Sequence, residues 1–130
     1  MARYQILVAD PISEKGIELL QSEPSFEVVV NLGLKQEADF AQAAAGAHAI
    51  IVRSGVKVTA KVIEAAPNLK AIGRAGVGVD NIDVPAASKR GVVVMNTPGG
   101  NTISTAEQAF TLMMALARKT PQAHATIIEG

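Results

Sequence analysis

Five apolar runs of strand length alternate with helical patterns along this chain, and that alternation constrains the fold more than any other feature. The runs consist largely of aliphatic and β-branched residues and lack the alternation of apolar and polar residues seen in a half-exposed strand. Such a pattern is typical of parallel strands buried on both faces. A repeat of this kind predicts an α/β fold, a doubly wound five-stranded parallel sheet. The runs are YQILVAD (4–10), FEVVVNL (26–32), AHAIIVRS (47–54), LKAIGRAG (69–76) and VVVMNTP (92–98).

Helix signals stand between and after these runs. Thr59 and Asp83 occupy N-cap positions, and Gly91 is placed to end a helix in the left-handed conformation. A longer helix is predicted over 102–119, with Ser104 and Glu107 spaced as a capping box. This last helix is apolar on nearly every side and has to be buried on more than one of them. The segment after it gives no strong signal.

Composition excludes several classes of function. Twelve basic and twelve acidic residues cancel, so neither nucleic acid nor a membrane surface is an expected partner. The absence of cysteine excludes disulfides and thiolate chemistry. His48 and His124 lie away from the expected carboxyl ends of the strands, so no catalytic residue and no metal ligand is predicted. The chain enters a strand without the apolar stretch of a leader, and a cytoplasmic location is expected.

A ligand site is expected beyond the carboxyl ends of the strands, where open parallel sheets bind small molecules. Arg53, Ser54 and Gly55 follow the third run, Arg74 ends the fourth, and Asn101 follows the fifth. Two guanidinium groups, a hydroxyl, an amide and exposed backbone N–H groups would form an anion pocket. The competing interpretation is that both arginines are solvated charges or strand-end ion pairs.

The stretch GRAGVGVDNID (73–83) looks like a dinucleotide-binding loop but departs from one. The dinucleotide-binding motif is G-x-G-x-x-G. Only Gly76 and Gly78 match its first two glycines, and Asn81 stands where the third glycine belongs. The stretch also follows the fourth strand rather than the first, and no acid follows at the distance of a ribose ligand. We interpret these glycines as allowing close approach of a ligand to the backbone, or a positive φ.

Two other doubly wound classes fail at named positions. A phosphorylation receiver needs an aspartate where Arg53 stands and further acids near the first strand, where Asp10 is alone. A flavin carrier needs aromatic residues in its binding loops, and this chain has only three Phe and one Tyr, none of them there.

Three blocks carry a resemblance: IIVRSGVKVT (50–59), NLKAIGRAGVGVDNID (68–83) and GVVVMNTPGGNTISTAE (91–107). In this order they resemble the N-terminal part of the D-isomer-specific 2-hydroxyacid dehydrogenases, and among these the D-3-phosphoglycerate dehydrogenases of serine biosynthesis. The resemblance implies a flavodoxin-like substrate-binding domain over 1–100. It also implies that 101–130 form a linking helix and tail leading towards an NAD-binding Rossmann domain.

The resemblance assigns roles to the residues of the expected site. It implies that Arg53, Ser54 and Asn101 contact the carboxylate or phosphate of a small phosphorylated hydroxy acid. It places the backbone of Gly76, Val77 and Gly78 beside the reacting carboxylate, with Val77 and Gly78 reaching NAD in the intact enzyme. Val77 departs from the hydroxyl residue that relatives often carry there.

The family's cofactor loop, catalytic arginine and glutamate–histidine pair do not occur in this chain, so it is expected to be catalytically incomplete and to bind no NAD tightly. The alternatives are a stand-alone binding module for a phosphorylated hydroxy acid and a ligand-free structural domain. The apolar helix over 102–119 is expected either to fold back over the sheet or to pack with a second copy as a homodimer, in a swapped arrangement.

Overall fold

A computed structural model of the chain describes residues 3–130, which form two compact units, one up to Pro98 and the other over Gly99–Gly130. The strands of the first unit are β1 (Tyr4–Val8), β2 (Phe26–Val30), β3 (Ala49–Val52), β4 (Ala71–Arg74) and β5 (Val93–Met95). Its helices are α1 (Glu14–Gln21), α2 (Glu37–Ala44), α3 (Ala60–Ala65) and α4 (Val84–Lys89). The second unit holds α5 (Thr102–Ala117) and α6 (Thr120–Glu129).

The five strands form one parallel sheet in the order β2-β1-β3-β4-β5. This is the flavodoxin-like order, in which the winding direction reverses between β1 and β3. The predicted α/β class, strand number and parallel sheet are therefore confirmed. The register places Leu7, Ile50, Ile72 and Val94 in one row across four strands.

One face of the sheet carries the core. Leu7, Ile50 and Ile72 are fully buried there, together with Phe40 of α2 and Ile63 of α3. Because side chains alternate between the two faces of a strand, the neighbours of this row point to the opposite face. Helix α1 packs against β2, and the side chains of Val93 and Met95, which adjoin Val94 in β5, are exposed at the far edge of the sheet.

Local capping in the first unit follows the sequence. The Thr59 hydroxyl accepts a hydrogen bond from the Val62 N–H at the start of α3, and the Asp83 carboxylate accepts one from the Ala86 N–H at the start of α4. Gly91 has a φ of 69° just after α4, in the left-handed region where glycine carries no steric penalty. All three predicted caps are confirmed.

The predicted start of the last helix at residue 102 is confirmed, but the capping box assigned to Ser104 and Glu107 is wrong. Helix α5 begins three residues earlier than a capping box at Ser104 would allow, with Asn101 as an N-cap that makes no side-chain hydrogen bond. The Ser104 hydroxyl instead donates to the Asn101 carbonyl, as a residue already inside the first turn can do. The helix ends at Ala117, and Lys119 adopts a φ of 51° before α6, a helix that the sequence reasoning did not anticipate.

The side chains of α5 and α6 are exposed in this chain. Ile103, Phe110 and Leu116 are among the largest exposed apolar side chains of the molecule. Whether this segment folds back over the sheet or packs with a second copy stays a prediction. No helix within residues 3–130 is both long enough and apolar enough to cross a membrane.

Candidate functional site

A crevice of about 480 Å³ opens at the carboxyl ends of the strands, beside the point between β1 and β3 where the winding reverses. Ligands of doubly wound folds bind at such switch points because the loops on either side diverge there. The crevice is formed by the segment that follows β1, the first turn of α1, and the ends of β3, β4 and β5. Its lining residues are Ile12, Ser13, Gly16, Ile51, Arg53, Ala75 and Thr97.

Arg53 is the charged group of the crevice. Its side chain is exposed, and one guanidinium nitrogen, Nη1, lies 3.4 Å from the Pro11 carbonyl to which it donates. This contact uses one of five guanidinium donors. The others can reach an anion in the crevice, and a guanidinium presents paired N–H groups that match a carboxylate or phosphate.

The first turn of α1 borders the same crevice. Ser13 caps this helix, and its hydroxyl accepts a hydrogen bond from the Gly16 N–H at 3.3 Å. The N-terminus of an eight-residue helix carries unsatisfied N–H groups and the positive end of the helix dipole. Arg53 and this helix end therefore both favour a negatively charged ligand.

The Arg53 loop is held from one side by Asp10, which follows β1. A single carboxylate oxygen, Oδ2, accepts hydrogen bonds from the N–H groups of Arg53 at 2.7 Å, Gly55 at 3.1 Å and Val56 at 3.3 Å. Asp10 is only 5% exposed, and it is the one polar or charged residue in the buried set of the described chain. The carboxylate thus replaces the strand partners that the loop lacks after β3 ends.

Asn81 holds the same loop from the other side. Its Nδ2 donates to the carbonyls of Arg53 at 2.6 Å and Val56 at 2.7 Å, while its Oδ1 accepts from Arg74 Nε at 2.7 Å. Sequence reasoning registered Asn81 only as a missing glycine and Asp10 only as a solitary acid. The only sequence feature that could have indicated their role is that Asp10 and Asn81 each lie close to a strand end of the expected site.

Arg74 explains the first glycine that follows it. A Cβ on Gly76 would lie 2.7 Å from Arg74 Nη1, and one on Gly78 would lie 3.7 Å from the same atom. Neither glycine has a positive φ, so that part of the interpretation is wrong. The Arg74 guanidinium, whose side chain is 11% exposed, lies against Gly76 and is tied to Asn81. At Gly78 the close atom is Asp80 Oδ1, 2.7 Å from the position of a Cβ, whereas the distance to Arg74 is an ordinary contact.

The loop over 75–78 is also tied to the segment after β5. Thr97 donates its backbone N–H to the Gly76 carbonyl at 2.9 Å, and Asn96 Nδ2 donates to the Val77 carbonyl at 2.6 Å. The apolar Val77 side chain is exposed and offers no hydrogen bond to a ligand. This stretch does not fit a dinucleotide grip, because Gly76 accommodates Arg74 and Asn81, which stands where the third glycine belongs, binds the backbone of Arg53 and Val56.

The structure brings some of the predicted site residues together. Arg53 lines the crevice, and Ser54 and Gly55 are exposed beside it in the same loop. Arg74 lines an adjoining cavity of about 210 Å³, which shares three lining residues with the crevice. Asn101 belongs to the second unit, where it precedes α5. The substrate contacts assigned to these residues, and the NAD contacts assigned to Val77 and Gly78, stay predictions.

The histidines contribute nothing to this crevice. His48 precedes β3, where its Nδ1 accepts the Gln5 N–H at 3.1 Å and its ring meets Tyr4 edge to face. His124 is exposed in α6. Among residues 3–130, no three His, Asp or Glu side chains form a group that could hold a metal ion.

Comparison with known proteins identifies the relatives of this chain. It is 55% identical to D-3-phosphoglycerate dehydrogenase of Archaeoglobus fulgidus over 126 residues, which cover 97% of this chain and 24% of that protein. It is 42% identical to hydroxypyruvate reductase of Thermotoga maritima over 130 residues, covering all of this chain and 42% of that protein. The chain thus spans about a quarter of the length of the phosphoglycerate dehydrogenases it matches.

A solved structure of the same class of enzyme also resembles the chain. The chain matches 3-phosphoglycerate dehydrogenase of Entamoeba histolytica, solved with NAD+ bound, with a TM-score of 0.76 and 36% identity over 88% of this chain and 39% of that one. The family model for the catalytic domain of D-isomer specific 2-hydroxyacid dehydrogenases matches residues 6–128. The chain therefore belongs to the D-isomer specific 2-hydroxyacid dehydrogenase family.

Proposed function

We propose that this chain is the substrate-binding portion of an NAD-dependent D-3-phosphoglycerate dehydrogenase. It binds 3-phosphoglycerate, whose oxidation by the intact enzyme gives phosphohydroxypyruvate. The observation that carries the proposal is the convergence of the Arg53 guanidinium and the first turn of α1 on one crevice at the β1–β3 switch point. The relatives named phosphoglycerate dehydrogenase support this substrate over other 2-hydroxy acids.

The chemistry of the ligand matches the crevice. 3-Phosphoglycerate carries a carboxylate at one end and a phosphate at the other, and each is a strong hydrogen-bond acceptor. The Arg53 guanidinium pairs with one of these groups through two parallel N–H donors. Ser54 supplies a hydroxyl, and the backbone of Gly76 and Gly78 supplies further contacts. Asn101 adds an amide from the start of α5 in the intact enzyme.

We further propose that the chain does not transfer hydride on its own. Residues 1–100 form the substrate-binding domain, and 101–130 form the linking helix and tail of a cofactor domain that belongs to the intact enzyme. The support is chemical, since this chain contains no pyrophosphate-binding turn and no histidine beside the crevice. Val77 and Gly78 would contact NAD only when the rest of its binding surface is supplied.

The segment over 102–119 is proposed to pair with a second copy of the chain. The support is the exposure of large apolar side chains along α5, including Phe110, Met113 and Leu116. Burying apolar surface stabilises an association by about 25 cal/mol per Å² before the cost of association is subtracted. Sedimentation over a concentration series tests this: the chain is expected to dimerise, and Phe110→Lys is expected to weaken the dimer.

Calorimetric titration of the chain with 3-phosphoglycerate tests the binding proposal. Arg53→Gln removes a charged donor worth about 1.5–3 kcal/mol, so Kd is expected to rise by at least about tenfold. Lys89→Gln removes the same charge from the last residue of α4, which does not line the crevice, and is expected to leave Kd unchanged. Equal effects of the two substitutions would reject a specific site at Arg53.

Two further ligands sharpen the titration. Glycerate lacks the phosphate, so weaker binding than that of 3-phosphoglycerate would assign part of the affinity to phosphate recognition. NADH is expected to bind this chain only weakly. Turnover of NADH with phosphohydroxypyruvate by the purified chain would reject the proposal that it is catalytically incomplete.

A further inference from the structure

We propose that Asp10 and Asn81 are positioning residues for this site, which fix the backbone over 53–56 from its two sides and thereby aim the Arg53 guanidinium. The inference rests on the proposed function, since it assigns to Arg53 the binding of the ligand's anionic group. Neither residue touches the ligand, and both act through the Arg53 loop.

The Asp10 carboxylate satisfies the donors of the loop. Three backbone N–H groups, those of Arg53, Gly55 and Val56, converge on Oδ2. Hydrogen bonds to an ionised acceptor are about twice as strong as those between neutral groups. Asp10 also restricts position 55, because a Cβ on Gly55 would collide with Oδ1. This carboxylate therefore determines the path of the chain as well as its hydrogen bonding.

Asn81 satisfies the acceptors of the same loop. Its Nδ2 donates to the carbonyls of Arg53 and Val56. Because Asp10 accepts from the N–H groups of the same two residues, both backbone polar groups of each residue have a side-chain partner. The remaining atom of the amide, Oδ1, accepts from Arg74 Nε. Asn81 thus connects the Arg53 loop to the second arginine of the strand-end region.

The loop has few apolar contacts that could hold it otherwise. Arg53, Ser54 and Gly55 are exposed, and only Val56 enters the core. Polar contacts to residues far away in the sequence therefore set the loop's conformation: Asp10 lies 43 residues before Arg53, and Asn81 lies 28 residues after it. A core substitution that leaves these contacts intact should spare the loop, even where it destabilises the fold.

The test compares Asp10→Ala, Asp10→Asn and Asn81→Ala with a matched core variant, Val62→Ala, which removes two buried methyl groups from α3 and none of the hydrogen bonds to the loop. Three quantities are measured on each: the urea midpoint, the amide spectrum of Arg53, Gly55 and Val56, and Kd for 3-phosphoglycerate. We expect Asp10→Ala and Asn81→Ala to shift those amides and to raise Kd by about tenfold.

Asp10→Asn keeps one acceptor oxygen without the charge, so we expect it to restore part of the affinity lost in Asp10→Ala. Val62→Ala should lower the urea midpoint while Kd changes by less than about twofold. The proposal is overturned if Asp10→Asn and Asn81→Ala bind as the unsubstituted chain does, or if Val62→Ala weakens binding as much as they do. If Asp10→Ala fails to fold, these two variants decide.

The proposed function and this inference fail in different ways. If the unsubstituted chain does not bind 3-phosphoglycerate, the proposed function fails, and the loop amides alone then decide whether Asp10 and Asn81 fix the loop. If binding is seen and depends on Arg53 but not on Asp10 or Asn81, the proposed function stands and the positioning inference is rejected.

Discussion

Phe40 and Phe110 are the same residue type on two helices of one chain, yet Phe40 is 1% exposed and Phe110 is 61% exposed. Phe40 lies on α2 and packs into the core beneath the sheet. Phe110 lies on α5, whose apolar side chains are distributed over nearly all sides of the helix. The first unit supplies partners for its own apolar surface, whereas the second does not.

This difference separates two kinds of information in the sequence. In the first unit, apolar residues occur with strand and helix periods that match the partners the unit itself provides. In the second unit, α5 has no polar face, which is typical of a helix that packs against a partner outside its own unit. This difference agrees with our proposal that the first unit holds a ligand site and that the second pairs with another copy of the chain.

The largest expected effect tests burial itself. Phe40→Ala should lower the free energy of unfolding of the first unit by about 3–5 kcal/mol, through lost burial and a residual cavity. Phe110→Ala should change it by less than about 0.5 kcal/mol, because the side chain is exposed. Urea unfolding followed by circular dichroism in dilute solution measures both. Equal losses would show that α5 is part of the first unit's core.

Two glycines give the next contrast. Gly55→Ala should destabilise the first unit by about 1–3 kcal/mol, because its Cβ would meet the buried Asp10 carboxylate. Gly99→Ala meets no atom within 4 Å and should be neutral, or stabilising by less than about 1 kcal/mol. Thermal unfolding of the two variants under one condition checks the difference, and a tolerated Gly55→Ala would contradict the observed loop geometry.

Helix capping sharpens the same comparison at a smaller scale. Thr59→Ala removes the side-chain cap of α3 and should cost about 1 kcal/mol. Asn101→Ala, at the N-cap of α5, removes no capping hydrogen bond and should cost no more than a few tenths of a kcal/mol. Urea midpoints report the Thr59 effect, and helix content by circular dichroism reports the Asn101 effect. A larger loss for Asn101→Ala would contradict the assignment.

The smallest effect concerns Glu37. The Thr59 hydroxyl, which donates to Glu37 at 2.6 Å, and then Lys61 hold the pKa of this carboxyl below its ordinary value. Because the pKa is lowered in the folded chain, the resulting stability is present above the unfolded pKa and is lost as pH falls through the folded one. Carbon-detected titration should show the pKa of Glu37 rising in Thr59→Val. An unchanged pKa would contradict the contact.

Most of the fold could be predicted from the sequence because its signals are local. Each strand is a continuous apolar run, and the caps at Thr59, Asp83 and Gly91 depend on residues three or four positions away. The capping box at Ser104 was wrong because Ser104 and Glu107 have the spacing of a capping box inside a helix that begins at Thr102. Helix α6 was missed because its composition gives no clear apolar period.

The site was predictable only in its outline. Arg53 could be placed at the carboxyl end of β3 because sheet topology fixes where strands end. The contacts of Asp10 and Asn81 with the Arg53 loop join residues 25 to 46 positions apart, and no local pattern encodes them. For the glycines after Arg74, the expected positive φ is wrong, whereas close approach of a ligand to their backbone stays a prediction.

The central claim is that the first unit holds a substrate half-site while the second unit is an interface. An amide NMR titration of the chain with 3-phosphoglycerate tests it most directly. We expect the amide signals of Arg53, Ser54 and the N-terminal turn of α1 to shift until the site is saturated. The amide signals of α6 and of the C-terminal half of α5 should stay unchanged. No saturable shift up to millimolar ligand, or shifts only at exposed lysines such as Lys57 and Lys61, would contradict it.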